Sequence, residues 1–468
     1  MKNLLLSILC LALLQISPVK AQLNPNFTSR LQVVFDSVCN AYNIKGASAA
    51  VLVPNIGTWK GVHGISEPGK PITSDMLFGI GSNTKTYTSC IMLKLQEMGK
   101  LSLTDTIGKW IHNQPNISGK ITIKQILNHT SGIYSFTDNP NFNDSLKANF
   151  SRIWTPEESL GFVLAPLFKP GSGWSYSNTN YIIAGIIIKQ VMGQPYEVTL
   201  RNFILNPQGF NNSIFFPEET SKSPIASQWS MGVNQQNLQP LFSIPDYDNN
   251  GIFSFAYSAG AILQTAEDNV NFWHNLLTGQ IINASSLAQM KKVVIIGTGP
   301  NCGSIGYGLG IFRYFNFFNG HPIYEHGGTN LGYINENAED TITHICFTVL
   351  TNQDSVSNDI LLGNVIGALQ KVTIHEKLAG VDLTSYEAPE VKLYPNPTTD
   401  RLNIKVDAFH EPLTFRLYDI SGRELMSQSI SDGQASVSIE SLAAGMYISR
   451  ITVPSGGIVA VEKVQIIR

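Results

Sequence analysis

The sequence predicts an α+β fold: one antiparallel sheet flanked by helices, with an inserted helical subdomain, followed by a small C-terminal β-sandwich. Three observations predict it. Short β-rich runs lie near the start of a long stretch (Ala47–Pro54, Gly57–His63) and recur near its end (Tyr307–Tyr314, Pro322–His326, Gly332–Asn335, Thr341–Leu350). Helical sequence fills roughly residues 100–290 between them, without the strand–helix alternation of a doubly wound sheet. After residue 391 the pattern changes to short period-two strands, a second core of its own.

Taken in order, Met1–Ala21 has Lys2, an apolar run from Leu4 to Ile16, and Val19-Lys20-Ala21 before Gln22, as a secretory signal peptide does. Thr28–Tyr42 places Leu31, Val34, Phe35 and Val38 at helical spacing. The two runs that follow flank an Asn-Ile-Gly turn and read as a hairpin. Gly79 and Gly81 then lead into Ser82, and no proline or glycine interrupts the chain until Gly99. That is a turn delivering a helix that starts at Ser82. Its apolar residues from Thr86 to Met98 lie on every side, which predicts a buried helix. A second helix is expected over Ile182–Met192 and a closing one over Asn358–Val372. Glu376–Val391, with Gly380, Ser385 and Pro389, reads as a linker. Expected boundaries are therefore 1–21 for the leader, 22–375 for the main domain, 376–391 for the linker and 392–468 for the tail.

Composition excludes several functions. With 43% hydrophobic and 14% charged residues the chain is an ordinary globular one. Its formal charge is −3, or −5 without Lys2 and Lys20, and no basic run occurs, so nucleic acid is not an expected partner. No run after the leader is long enough for a membrane span. No Cys-x-x-Cys, His-x-His or His-Glu-x-x-His occurs, so no metal and no cofactor is expected. Beyond Cys10, which falls in the leader, Cys39, Cys90, Cys302 and Cys346 remain. Cys90 and Cys346 sit in apolar context as core residues, and no disulfide framework is expected of so large a chain.

Three clusters carry chemistry. In Ser82-Asn83-Thr84-Lys85, serine and lysine are three apart and share a helix face. The serine N–H points from the positive helix end, where an oxyanion is stabilised, and a poorly solvated lysine can act as a base. Alone the motif is weak: it equally fits an N-cap and a solvated lysine, and Ser17-Pro18-Val19-Lys20 repeats it inside the leader. The second cluster is the glycine-rich turn Lys169-Pro170-Gly171-Ser172-Gly173-Trp174-Ser175-Tyr176-Ser177-Asn178 before a helix, where a phenol and an amide can face one cleft. The third is Glu325-His326-Gly327-Gly328-Thr329 at a strand end, whose glycines let a substrate backbone approach.

In this order the clusters resemble the serine β-lactamase and penicillin-binding-protein superfamily, specifically its class C-like branch of D-alanyl-D-alanine carboxypeptidases, esterases and D-amino-acid peptidases. Leu127-Asn128-His129-Thr130-Ser131-Gly132, Tyr257-Ser258-Ala259-Gly260 and Tyr307-Gly308-Leu309-Gly310 add to the likeness, which covers roughly residues 25–375. The resemblance implies Ser82 as the acylated nucleophile, Lys85 as its partner, and Tyr176 as base and then acid with its pKa lowered by Lys85. It implies Asn178 orienting the substrate amide and the lysine, with N–H groups of Ser82 and Thr329, just past Gly328, forming the oxyanion hole. His326 stands where true penicillin binders carry lysine. With a reference pKa near ~6.5 it would hold a substrate carboxylate weakly and increasingly as pH falls. His129 is expected to be structural. The substrate would be a small molecule or a peptide or peptidoglycan fragment, cleaved at an ester, amide, D-alanyl peptide or β-lactam bond. A non-catalytic peptidoglycan- or glycan-binding protein on the same fold is the alternative.

The tail resembles the sorting domain of the type IX secretion route, through Leu393-Tyr394-Pro395-Asn396-Pro397, the run from Leu417 to Leu425, Leu442-Ala443-Ala444-Gly445-Met446-Tyr447 and the terminal Lys463-Val464-Gln465-Ile466-Ile467-Arg468. That implies the secretion machinery as a partner and an exported or surface-attached protein.

Overall fold

The computed structural model describes residues 23–231, 238–243, 248–299, 303–317, 320–374, 391–406, 413–419, 423–430, 433–452 and 458–467. The leader, nearly all of the linker and Cys302 lie outside them.

Helix α1 (Pro25–Ala41) starts at Pro25 with Asn24 capping, and buries Phe27, Leu31, Phe35 and Cys39 along one face. Strands β1 (Gly46–Val53) and β2 (Gly57–Glu67) form the expected hairpin, and β3 (Lys70–Pro71) edges it. Beyond the helical region come β4 (Val294–Gly299), β5 (Gly303–Tyr307), β6 (Phe312–Phe317), β7 (His321–Glu325), β8 (Gly328–Asn330), β9 (Tyr333–Asp340) and β10 (Cys346–Thr351). Among the described residues these make one ten-stranded sheet in the order β3-β2-β1-β10-β9-β7-β6-β5-β4, with β8 pairing to β9. The termini of the domain meet where β1 pairs antiparallel with β10, Ala49 opposite Val349. Tyr307–Tyr314, read as one strand, is instead the β5–β6 hairpin. The turn at Gly308-Leu309-Gly310 breaks it, because Gly310 has φ +74° and a Cβ there would meet Ser89 Oγ at 2.4 Å.

Every residue of β1 is buried, and its period-two alternation serves two cores. Ala47, Ala49, Val51 and Val53 join α1 and the closing helical run from Asn358 to Ile374, while Ala50 and Leu52 face the helical layer. That layer holds α2 (Thr84–Glu97), α3 (Asn178–Met192), α4 (Asn250–Gly260) and α5 (Ala266–Leu277). Helix α2 is buried continuously from Thr84 to Leu93, as its all-round apolar pattern predicts. Ser82 is not its first residue but the middle of a 3₁₀ turn, Gly81–Asn83, that leads into it.

In the tail, β11 (Val391–Tyr394), β12 (Arg401–Val406) and β15 (Gln434–Ser438) form one small sheet. A second holds β13 (Leu413–Tyr418), β14 (Glu424–Ile430), β16 (Gly445–Thr452) and β17 (Ile458–Ile466). Leu402, Ile404, Phe415, Leu417, Val437 and Ile451 fill the space between them, and Phe315 of β6 joins that core.

Candidate active site

Lys85 is the second residue of α2, with its side chain fully buried, and its Nζ stands 2.9 Å from Ser82 Oγ. The same Nζ donates to the carbonyl of Ala259 at 3.0 Å. That carbonyl is presented by a kink in α4 at Tyr257, whose backbone (φ 39°, ψ −133°) leaves the helical region. Desolvation holds the Lys85 amine well below its ordinary value, which favours the free base. Lys85 therefore differs from a solvated first-turn lysine in every respect that matters for proton transfer.

Tyr176 comes from the loop before α3. Its hydroxyl is hydrogen-bonded to Ser82, its ring is half-buried, and Lys85 Nζ lies 5.0 Å from the ring centroid. The expectation that Lys85 lowers this phenol's pKa does not hold: burial raises it, and the Ser82 bond only opposes the rise. The physical reason is desolvation: burial penalises the phenolate, and it penalises the charged form of Lys85 as well.

His129 fixes the Tyr176 loop. It is sealed from solvent with φ 61°, and its Nδ1 accepts from the Ser177 N–H at 3.1 Å. Its ring lies 4.3 Å from that of Tyr176, and burial holds it well below its ordinary pKa. Asn178 opens α3, but its amide donates to Thr137 Oγ1 at 3.0 Å, and its backbone N–H donates to Ser135 Oγ, rather than either reaching Lys85.

Strand β8 brings Thr329 against the Ser82 turn. A Cβ on Gly328 would stand 2.0 Å from the Ile80 carbonyl and 2.8 Å from Ser82 N, so only glycine permits this approach. The Thr329 side chain is exposed and donates to Asn358 Oδ1 at 2.8 Å.

His326 follows β7 and is 1% exposed. Its Nδ1 lies 2.7 Å from the Gly327 carbonyl, which fixes the proton there, and its Nε2 accepts from the Tyr307 hydroxyl at 3.1 Å. Desolvation first, and Lys85 second, push its pKa down to about 3. The expected partial charge and its growth through the neutral range are thus corrected: His326 is neutral because burial penalises its charged form by more than the bond to the Gly327 carbonyl offsets.

Ser82 lies between two cavities. One of about 370 Å³ is walled by Phe136, Leu146, Phe150, Ile252 and Phe255, with Asn178 and Thr329 on its rim. The other, about 280 Å³, holds Tyr176, His326, Gly328 and Thr329 and ends at Glu325, Glu336 and Asp359. Glu325 and Glu336 are 4% and 3% exposed and face each other. Burial pushes Glu325 up to about 8 and Glu336 well above the usual carboxylate range. Of these residues, sequence reasoning weighed neither Glu325 nor Glu336, nor the Ala259 carbonyl, although Glu325 adjoins His326 and Ala259 falls in a noted run. Among the described residues no cluster of His, Cys, Asp and Glu is placed to hold a metal ion, and no helix is long and apolar enough to cross a membrane.

The Beta-lactamase family model matches residues 26–367, and the Secretion system C-terminal sorting domain model matches residues 392–467. PbpX of Bacillus subtilis (strain 168), designated a penicillin-binding protein, is 28% identical over 254 residues, covering 54% of this chain and 57% of its own length. The chain thus spans little more than half of that relative. A D-stereospecific amidohydrolase from Streptomyces sp. superposes with TM-score 0.63 at 26% identity, over 76% of this chain and 99% of that one. D-amino acid amidase from Ochrobactrum anthropi SV3 gives TM-score 0.65 at 23% identity, over 75% and 100%. The second of these likenesses concerns the fold alone. The tail marks the chain for export to the exterior or the cell surface by the type IX route.

Proposed function

Because the chain belongs to the Beta-lactamase family, we propose that it is an exported serine hydrolase that cleaves an amide or ester bond through an acyl-enzyme on Ser82. The observation that carries this reading is the 2.9 Å approach of a fully buried, charge-disfavoured Lys85 amine to Ser82 Oγ. Lys85 takes the Ser82 proton as Oγ attacks the carbonyl carbon, and the oxyanion is held by the N–H groups of Ser82 and Thr329. Tyr176, protonated and bonded to Ser82, donates to the leaving nitrogen or oxygen, and the proton on Lys85 then restores the phenol. Water repeats the sequence on the acyl-enzyme, with the same residues in reverse.

The apolar cavity beside Ser82 suits a bulky hydrocarbon or aromatic group on the substrate. The neutral His326 gives no anchor for a carboxylate, which favours esters and amides over β-lactams or C-terminal D-alanyl peptides. A fluorophosphonate probe followed by peptide mapping tests the nucleophile: the label should sit on Ser82. A panel of nitrocefin, p-nitrophenyl esters and D-alanine p-nitroanilide tests the bond, with esters and anilide expected to exceed nitrocefin in kcat/KM. No label and no turnover would leave a binding protein on this fold.

A further inference from the structure

We propose that His129 is a positioning residue of the hydrolysis: it sets the Tyr176 hydroxyl against Ser82, and so decides how well the site expels basic leaving groups such as alkoxides and amines. The inference rests on the hydrolase reading of Ser82 and Tyr176, and adds to it the residue through which the acid is placed.

His129 brackets Tyr176 on both sides. Its carbonyl accepts from the Ser175 N–H at 3.1 Å, and its Nδ1 accepts from the Ser177 N–H at 3.1 Å. Between those two bonds the imidazole lies against the Tyr176 ring, with centroids 4.3 Å apart and planes 35° from parallel. The next rings around Tyr176 among the described residues, Tyr307 and His326, are both at 6.3 Å. The His129 backbone is left-handed, φ 61°, a conformation that residues other than glycine seldom adopt, and both its carbonyl and its ring serve the same loop.

The tautomer is fixed as well. Asn180, in the first turn of α3, donates from Nδ2 to the same Nδ1 at 3.1 Å, while its Oδ1 accepts from Ser131 Oγ at 2.7 Å. A backbone N–H and an amide NH₂ are donors only, so Nδ1 is bare and the proton sits on Nε2. That Nε2 is buried and has no acceptor among the described residues. A leucine or phenylalanine would fill the space without a buried, unmet N–H, which is costly. Neither could hold the Tyr176 loop to α3 through an acceptor, and that is what the imidazole does.

The placement matters at one step. As the carbon–oxygen or carbon–nitrogen bond of the tetrahedral intermediate breaks, its electron pair stays on the leaving atom, which takes the Tyr176 proton; Lys85 then returns a proton to the phenolate. A misplacement of the acid by ~1 Å costs on the order of 10² in rate.

Two esters of 3-phenylpropanoic acid test this on the full chain: the p-nitrophenyl ester, whose phenolate departs unprotonated, and the ethyl ester, whose ethoxide needs the proton. His129→Ala should lower kcat/KM for the ethyl ester by about tenfold to a hundredfold, and for the p-nitrophenyl ester by less than about threefold. His129→Asn, whose Oδ1 can stand in for Nδ1 and which tolerates the left-handed backbone, should recover most of that loss. In a Tyr176→Phe background, His129→Ala should cost less than about threefold more on the ethyl ester, since no hydroxyl is left to position. Nitrogen-15 NMR of ring-labelled histidine in the unmutated chain gives a readout that needs no variant to fold: the imidazole in contact with the Tyr176 ring should carry its proton on Nε2. Equal losses on the two esters, an undiminished effect in Tyr176→Phe, an asparagine variant no better than alanine, or a proton on Nδ1 would overturn the proposal and leave the Ser82 chemistry in place. No turnover of either ester by the unmutated chain, with no fluorophosphonate label on Ser82, would remove the hydrolase reading and this role with it.

Discussion

A Cβ on Gly81 would stand 2.6 Å from the backbone nitrogen of Thr329. The Ser82 turn and strand β8 therefore touch only because residue 81 has no side chain, and its φ of +47° excludes most others as well. Gly81→Ala should push β8 away and widen the gap between the Ser82 and Thr329 N–H groups. Loss of one oxyanion donor is worth ~10²–10³ in kcat. Steady-state kinetics should show that loss mainly in kcat, with Ser82 still labelled slowly by fluorophosphonate; unchanged kcat would mean Thr329 N–H is not a donor.

Ser82→Ala should abolish labelling and hydrolysis without unfolding the protein, because Ser82 is only half-buried. Retained turnover in that variant would remove the mechanism.

Lys85→Ala should lower kcat by ~10² or more. The pH profile carries the sharper expectation. The Lys85 pKa is depressed, so the competent free amine is lost as pH falls through that lowered value, and kcat/KM should show one acid limb well below the ordinary lysine range. The Tyr176 pKa is raised, so its proton is kept on the alkaline side and the rate should stay level past about pH 9. Tyr176→Phe should lower kcat by a similar ~10², with the acid limb retained.

His326 should leave no mark between pH 6 and 8, since its pKa lies near 3 and it is uncharged throughout that window. Any change across that window in the ratio of kcat/KM for a carboxylate-bearing substrate to that for its neutral ester should follow Glu325, raised to about 8 in the same cavity, and disappear in Glu325→Gln. A ratio that still rises steeply toward pH 6 in Glu325→Gln would show a charging histidine in the pocket.

Deleting residues 392–468 should leave the main domain folded and hydrolytic but no longer exported, as the tail's two small sheets bury a core of their own. The cut exposes Phe315, which sits in that core, so a modest fall in melting temperature is expected. An unfolded 22–391 fragment would place the tail within the catalytic unit.

By itself the sequence determined what is local: the strands at both ends of the domain, the all-round burial of α2, the period-two tail, and Ser82 and Lys85 on one turn. Those follow from periodicity, glycine placement and short spacings, which survive in one dimension, whereas Tyr176 joined them only through the family resemblance. Burial decided the rest. It set the direction of each shift, so that a lysine expected to lower the Tyr176 pKa is itself held well below its ordinary value while the phenol is raised, and a histidine expected to titrate is neutral. The kink at Tyr257 that turns the Ala259 carbonyl to Lys85, 174 residues away in the chain, has no short-range signal. Nor does the facing of Glu325 and Glu336, which lie on neighbouring strands β7 and β9 and meet only once the sheet is assembled. Desolvation and long-range pairing are properties of the packed chain, and they fix which proton sits where.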